Sequence, residues 1–270
     1  MKLYQYILAS GLLLLGCESI DEKFSIKQIN KLHVNAGEDI TLSIGKSTKI
    51  TGYAEDYDGK IVQYKWKEND TELSNEAELI IDSMSEGKHT LIFSVEDNDG
   101  NRNSDEIIVS IKSEEEILIE TYLDAVNEAR SKSRDCRNGR GLLTPTTPLK
   151  WDDGIYHAAL EHSRDMALSN TYEHEGSGTK SDSTGFRNNS KSNYKTRIAI
   201  NSEKEWEYTS ENIIAGAGTL DKMMKEWLKS PPHCANIMNS NWTHFGMAKY
   251  RDDSSKWGIY WTQNFAKKAK

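Results

Sequence analysis

Apolar residues in the first half of this chain recur at every second position. They alternate in "DITLSI" (Ile40, Leu42, Ile44), in "IVQYKW" (Val62, Tyr64, Trp66), in "HTLIFSV" (Leu91, Phe93, Val95) and in "EIIVSI" (Ile107, Val109, Ile111). A period of two predicts strands with one face buried. Asp58-Gly59 and Asp99-Gly100 stand beside these runs as turn pairs. Several short strands with no helical period predict an immunoglobulin-like β-sandwich over residues 32–112. The acidic turns do not supply the oxygen spacing of an EF-hand, because Val95 and Ala54 fall at its first position, so hairpin turns are the expectation.

Near residue 113 the period changes to about 3.6. Leu118, Tyr122, Ala125 and Ala129 share a helical face, and Ser113 with Glu116 makes a capping-box pattern. A second helix is predicted from about Asp153 to Asn170, with Ile155, Ala159, His162 and Met166 on one side. A third carries Leu220, Met223, Met224, Trp227 and Leu228. Pro231-Pro232 ends it and opens a short helix over "HCANIM". The stretch from His244 to Phe265 returns to strand character around a polar turn. The second half is therefore an α+β domain. Residues 180–209 are polar and read as a long loop, either a lid beside a cleft or a mobile surface segment. His162 reads as a packed helix histidine, and His157 and His244 have no motif partner.

The N-terminus changes the cysteine count. The apolar run Ile7–Leu15 has nine residues, whereas a spanning helix needs roughly 20. It reads as the h-region of a signal peptide, and no other apolar run is long enough to cross a bilayer. Its end, Leu14-Leu15-Gly16-Cys17, resembles the lipobox of bacterial lipoproteins. The resemblance implies cleavage after Gly16 and acylation of Cys17, with palmitate-type chains anchoring the protein to a bacterial membrane on its extracytoplasmic side. The expected organisation is a signal peptide over 1–16, a tether over 17–31, the β-sandwich over 32–112 and the α+β domain over 113–270. The other two cysteines are Cys136 and Cys234. In an exported chain they form a disulfide pair, or else Cys234 is a nucleophile or metal ligand beside His233. The net charge is −8, and loss of residues 1–16 removes one Lys more. An acidic chain without a basic stripe excludes a nucleic-acid binder.

Two resemblances sharpen this picture. "AEDYDGKIVQYKW" and "VEDNDGN" resemble PKD-type modules, immunoglobulin-like domains of extracellular proteins. Six motifs, "YLDAVNEAR", "LKWDDGIYHAALEHSRDMA", "YEHEGSGT", "SENIIAG", "WLKSPPHCANIMNSNWTHFGMA" and "YWTQNF", stand in the order of the bacterial branch of the CAP superfamily, which they closely resemble. That superfamily is named for cysteine-rich secretory, antigen 5 and pathogenesis-related proteins, and is also called SCP. The resemblance covers residues 117–266. It implies an α-β-α sandwich, a central antiparallel sheet, an open cleft and a Cys136–Cys234 bond.

The family's cleft carries two His and two Glu. Matched motif by motif, the first His falls on His174 and the first Glu on Glu211, while Ser230 and Tyr260 stand at the other two positions. His233 is close enough to refill the site from the neighbouring turn. His174, Glu211 and His233 are therefore the candidate catalytic or binding set, and His174 with His233 the candidate zinc ligands. No cofactor is otherwise implied. The expected function is a cleft that binds an envelope lipid, peptide or glycan, with the PKD-like module as spacer or adhesive. The alternative is a hydrolase, possibly zinc-dependent, acting on envelope peptide or glycan.

Overall fold

A computed structural model describes residues 32–269. The expected signal peptide, Cys17 and the expected tether lie outside the described residues. Two compact units emerge, one drawn from residues within 32–109 and the other built on residues from 110 onward, with 41–47 and 82–88 grouped with the second.

The first unit is all β. Its strands are β1 (Leu32–Asn35), β2 (Ile40–Ser43), β3 (Thr48–Thr51), β4 (Tyr53–Asp56), β5 (Ile61–Glu68), β6 (Thr71–Ser74), β7 (Glu78–Ile81), β8 (Gly87–Asp97) and β9 (Arg102–Lys112). Five of them form one sheet in the order β2-β9-β8-β5-β6, and β1-β4 and β3-β7 are paired separately. The alternation in β8 and β9 works as expected: Leu91, Phe93, Val95, Ile107, Val109 and Ile111 are buried. The Trp66 ring lies 4.7 Å from that of Phe93, and its indole N–H donates to the Ala77 carbonyl at 3.0 Å. The simple alternation fails in β5. The β5–β8 register shifts between Ile61 and Gln63, so Val62 is an extra residue and points to solvent. Ile44 lies beyond β2 and is exposed too. The Asp99-Gly100 turn is tied to Asp97, whose carboxylate accepts the N–H groups of Asp99 and Asn101 at 2.8 and 2.9 Å.

The second unit opens with α1 (Glu114–Arg130), whose capping box joins Ser113 and Glu116. Then come β10 (Arg134–Asp135), β11 (Leu142–Leu143), β12 (Lys150–Trp151), α2 (Asp153–Ser169), α3 (Ser183–Arg187), α4 (Tyr194–Asn201), β13 (Trp206–Ala215), α5 (Leu220–Lys229), α6 (Pro231–Ile237), β14 (His244–Arg251) and β15 (Ile259–Lys268). The central sheet runs β12-β14-β15-β13 and is antiparallel except that the two-residue β12 lies parallel to β14. Alternation along β15 divides the core. Trp261 and Phe265 join Tyr122, Val126, Trp227 and Ile237 of α1, α5 and α6 on one face. Tyr260 and Ala266 meet α2 and α4 residues on the other. This is an α-β-α sandwich. Gly246 of β14 lets α2 lie against the sheet, since a Cβ there would collide with the Tyr156 main chain.

Two sequence expectations need correction here. The buried face of α1 is Tyr122, Val126, Ala129 and Arg130, and Leu118 is exposed. The stretch 180–209 is not one long loop. Asp182 caps α3, and Asn193 with Thr196 forms the capping box that starts α4. Both caps are short polar motifs inside a polar run, so they did not stand out from loop chemistry.

Candidate functional site

The site is built around a buried carboxylate. Glu211 lies on β13 with its side chain wholly enclosed. Its Oε1 is 2.9 Å from His174 Nδ1 and its Oε2 accepts from Arg197 Nη2 at 2.8 Å. His174 follows α2 and keeps about half of its side chain (52%) in solvent. Arg197 projects from α4 and is fully buried. It also donates to the His174 carbonyl at 3.0 Å and to Ser192 Oγ at 2.8 Å. One guanidinium thus fixes both the carboxylate and the backbone of the histidine it faces. Burial alone would raise the Glu211 pKa, but the neighbouring positive charge and the hydrogen bonds from His174 and Arg197 hold it below the usual carboxylate value.

His162 is not merely a packed helix histidine. It lies beneath Glu211, with Nε2 2.9 Å from the Glu173 carbonyl and 3.7 Å from Glu211 Oε1. Burial pushes its pKa down to about 4. It is therefore neutral near pH 7, and its buried Nδ1 has no partner, as an unprotonated nitrogen allows. Two buried aspartates tie down the chain beyond His174. Asp165 accepts from the Ser177 N–H and hydroxyl at 2.8 and 2.6 Å, and Asp182 from the N–H groups of Gly178 and Ser192 at 3.0 and 2.9 Å.

His233 comes from the opposite wall, on α6. Burial, and then repulsion from His174, lower its pKa. Its helix is held at two points. Cys234 is bonded to Cys136, with Cα atoms 5.5 Å apart. Arg130 is buried with no carboxylate partner among the described residues, and donates through Nη1 to the carbonyls of Ile237 and Asn239 at the helix C-terminal end and through Nε to the Thr147 carbonyl. A cation suits that end of a helix. Cys234 is thus a structural residue, neither a nucleophile nor a metal ligand.

His174, Glu211 and His233 all line one open cavity of about 780 Å³, with Asn212, Asn236 and Arg140 among the other lining residues. Ser230 and Tyr260 are not on its surface: Ser230 lies at the junction of α5 and α6, and Tyr260 is buried against Met166 and Ile213. The zinc expectation does not fit. Among the described residues no three His, Cys, Asp or Glu side chains converge as metal ligands. Both Glu211 oxygens and His174 Nδ1 are already committed to one another or to Arg197. Sequence reasoning missed Arg197, Asp165 and Asp182. For Arg197 the signal was present, since the Asn193/Thr196 capping box predicts a helix that carries it.

Comparison with known proteins places this geometry. The model of the CAP, cysteine-rich secretory protein family matches residues 123–265. The chain belongs to this family. A K319L-like PKD domain model matches residues 36–111 of the same chain. The CAP protein is 30% identical over 118 residues to the uncharacterized protein YkwD of Bacillus subtilis; the match covers 44% of this chain and 39% of that protein. The chain therefore spans well under half of that relative. Among solved structures, an outer surface protein of Borrelia burgdorferi is 19% identical, with 58% of this chain and 95% of that one covered at a TM-score of 0.41. An extracellular protein containing an SCP domain from Bacillus anthracis is 14% identical, with 77% and 67% covered at a TM-score of 0.40. No helix among the described residues is long and apolar enough to cross a membrane.

Proposed function

We propose that this CAP protein is an extracytoplasmic, lipid-anchored ligand-binding protein of a bacterial cell envelope, with its PKD-like module as spacer or adhesive. The short h-region with Cys17 close behind it and the disulfide between Cys136 and Cys234 support export. The binding reading is carried by one observation: both oxygens of the Glu211 carboxylate are engaged, one by His174 and the other by Arg197. An anion locked between two donors shapes a surface well, and is poorly placed to accept a further proton from a substrate or to ligate a metal. The open cavity above it is within the size range of ligand sites.

The hydrolase alternative has one point in its favour. His174 has one ring nitrogen oriented by a carboxylate, which leaves Nε2 for other partners, the arrangement of a general base. Incubating the full chain with peptidoglycan, envelope-lipid vesicles and peptide pools separates the two readings. Saturable binding that Glu211→Gln weakens, with no product formed, supports the binding protein. Turnover that His174→Ala abolishes replaces it with the hydrolase. The anchor is checked separately: Cys17→Ser should move the protein from the membrane to the soluble fraction.

A further inference from the structure

The edge of β13 narrows the kind of ligand, given only that the cavity is a binding site. β13 ends the four-stranded order and pairs on one side alone, with β15. Five consecutive residues, Tyr208 to Asn212, line the cavity. Successive strand side chains point to opposite faces. A cavity that all five touch therefore runs along the strand's edge.

The ladder decides which main-chain groups face that cavity. Gly216 donates to the Ile259 carbonyl at 2.9 Å, in the same register that pairs Thr209 with Ala266. Antiparallel pairing alternates, so residues 210, 212 and 214 bond β15, while 209, 211 and 213 turn their N–H and C=O outward. Ile213 fits this pattern, since its carbonyl accepts from Trp227 Nε1 at 3.2 Å and from the Tyr172 hydroxyl at 3.4 Å. Those two side chains close the edge there. At Thr209 and Glu211 the edge is open: among the described residues no group bonds their outward N–H or C=O.

Part of the other recognition chemistry on the cavity walls is already used. Asn212 donates to the His233 carbonyl and to Gln263, and Asn236 donates to Asn212. Trp242 is buried and stacked on Phe265 at 6.1 Å. Tyr208 has the Lys267 ammonium over its ring at 5.3 Å. Tyr208 keeps one exposed ring, and the Asn138, Asn239 and Asn241 side chains also line the cavity. Tyr208, Pro232, Ala235 and Trp242 supply apolar wall between the Asn, His, Arg and Ser side chains. The groups left for a ligand include the outward main-chain pair, the two imidazoles and the exposed Arg140. Glu211 is neutralised by Arg197, so the free charge on this cavity is basic although the chain carries −8.

We propose that the cleft binds an extended acidic peptide, which adds as a strand to β13 at Thr209 and Glu211 with a carboxylate near Arg140. Main-chain hydrogen bonds supply the affinity and Arg140 the preference, as in other strand-addition modes.

The test pans a random hexapeptide display library against the full-length chain, with soluble peptidoglycan strands and palmitate vesicles titrated in parallel. Selected peptides should be poor in Pro and rich in Asp or Glu. A synthetic copy of the best one should slow amide hydrogen exchange at Thr209 and Glu211. Thr209→Pro removes one outward N–H and no ladder bond, and should weaken binding roughly ten-fold. N-methylating the peptide at alternate residues needs no change in the protein. It should abolish binding in one register and spare it in the other. Arg140→Glu should reverse the acidic preference. Peptide binding without protection at residues 209 and 211, or indifferent to N-methylation in both registers, overturns the proposal. Peptidoglycan or palmitate occupying the cleft while no peptide is selected also overturns it, but leaves the binding-protein reading standing. No probe bound at the cleft overturns both.

Discussion

The two walls of the cleft are held in place by different chemistry. On the α2/α4 side the fixing groups are charges: Glu211, Arg197 and the neutral His162 lie together out of water, and Asp165 and Asp182 bind the chain that follows His174. On the α6 side the fixing groups are one covalent bond and one arginine that serves only main-chain and hydroxyl oxygens. The first wall therefore depends on protonation state, whereas the second depends on redox state and packing. His174 and His233 face one cavity, yet different conditions would displace them.

The largest effect should come from breaking the charged wall. Arg197→Met leaves the Glu211 carboxylate buried without its ion partner, and should cost about 3–5 kcal/mol in urea unfolding. A loss below about 1 kcal/mol would mean that water or a proton replaces the guanidinium, and the contrast between the walls would fall. The covalent wall comes next. Replacing Cys136 and Cys234 together by Ala should cost about 2–4 kcal/mol, because the bond closes a 98-residue separation. The pH dependence described next should survive that change, since no titrating group of the Glu211 network touches the disulfide.

Acid sharpens the comparison further. His162 is held to a pKa of about 4 in the fold, against about 6.5 in an unfolded chain. Between those values the unfolded state binds the extra proton, so stability is full above about pH 6.5 and declines as pH falls toward 4. The depressed Glu211 adds a loss at still lower pH, below its unfolded value. The melting temperature should fall across this range, reflecting a loss on the order of a few kcal/mol, and His162→Gln should flatten the upper part of the slope. An unchanged slope in that variant would remove His162 from the account. The smallest stability effect should be that of His174→Ala, under about 1 kcal/mol, because the imidazole is half in solvent. Its effect on ligand binding should be the larger one, read by titration with whichever probe occupies the cleft.

Periodicity made much of this architecture legible. The alternating runs of β8 and β9, the α2 and α5 stripes, the Ser113/Glu116 box and the Pro231-Pro232 break each act locally, within one or two turns or pleats. Local signals fail where one extra residue resets a pattern, as the bulge at Val62 does. Motif order gave His174, Glu211 and His233, because each sits in a recognisable phrase of sequence. It did not give Arg197, which reaches Glu211 from 14 positions away through a helix hidden in a polar stretch. Nor did it show that His162, 49 positions before Glu211 in the chain, sits beneath the same carboxylate.

What the sequence by itself determined is the main strand and helix runs, the two-domain fold class and the residue types available to a cleft. Only the tertiary structure decided which of them are spent. A carboxylate with both oxygens occupied, an aromatic ring stacked from behind and a strand edge with two outward main-chain positions are properties of three-dimensional neighbours. Burial and hydrogen-bond saturation depend on residues far apart in the chain, and no local pattern encodes them.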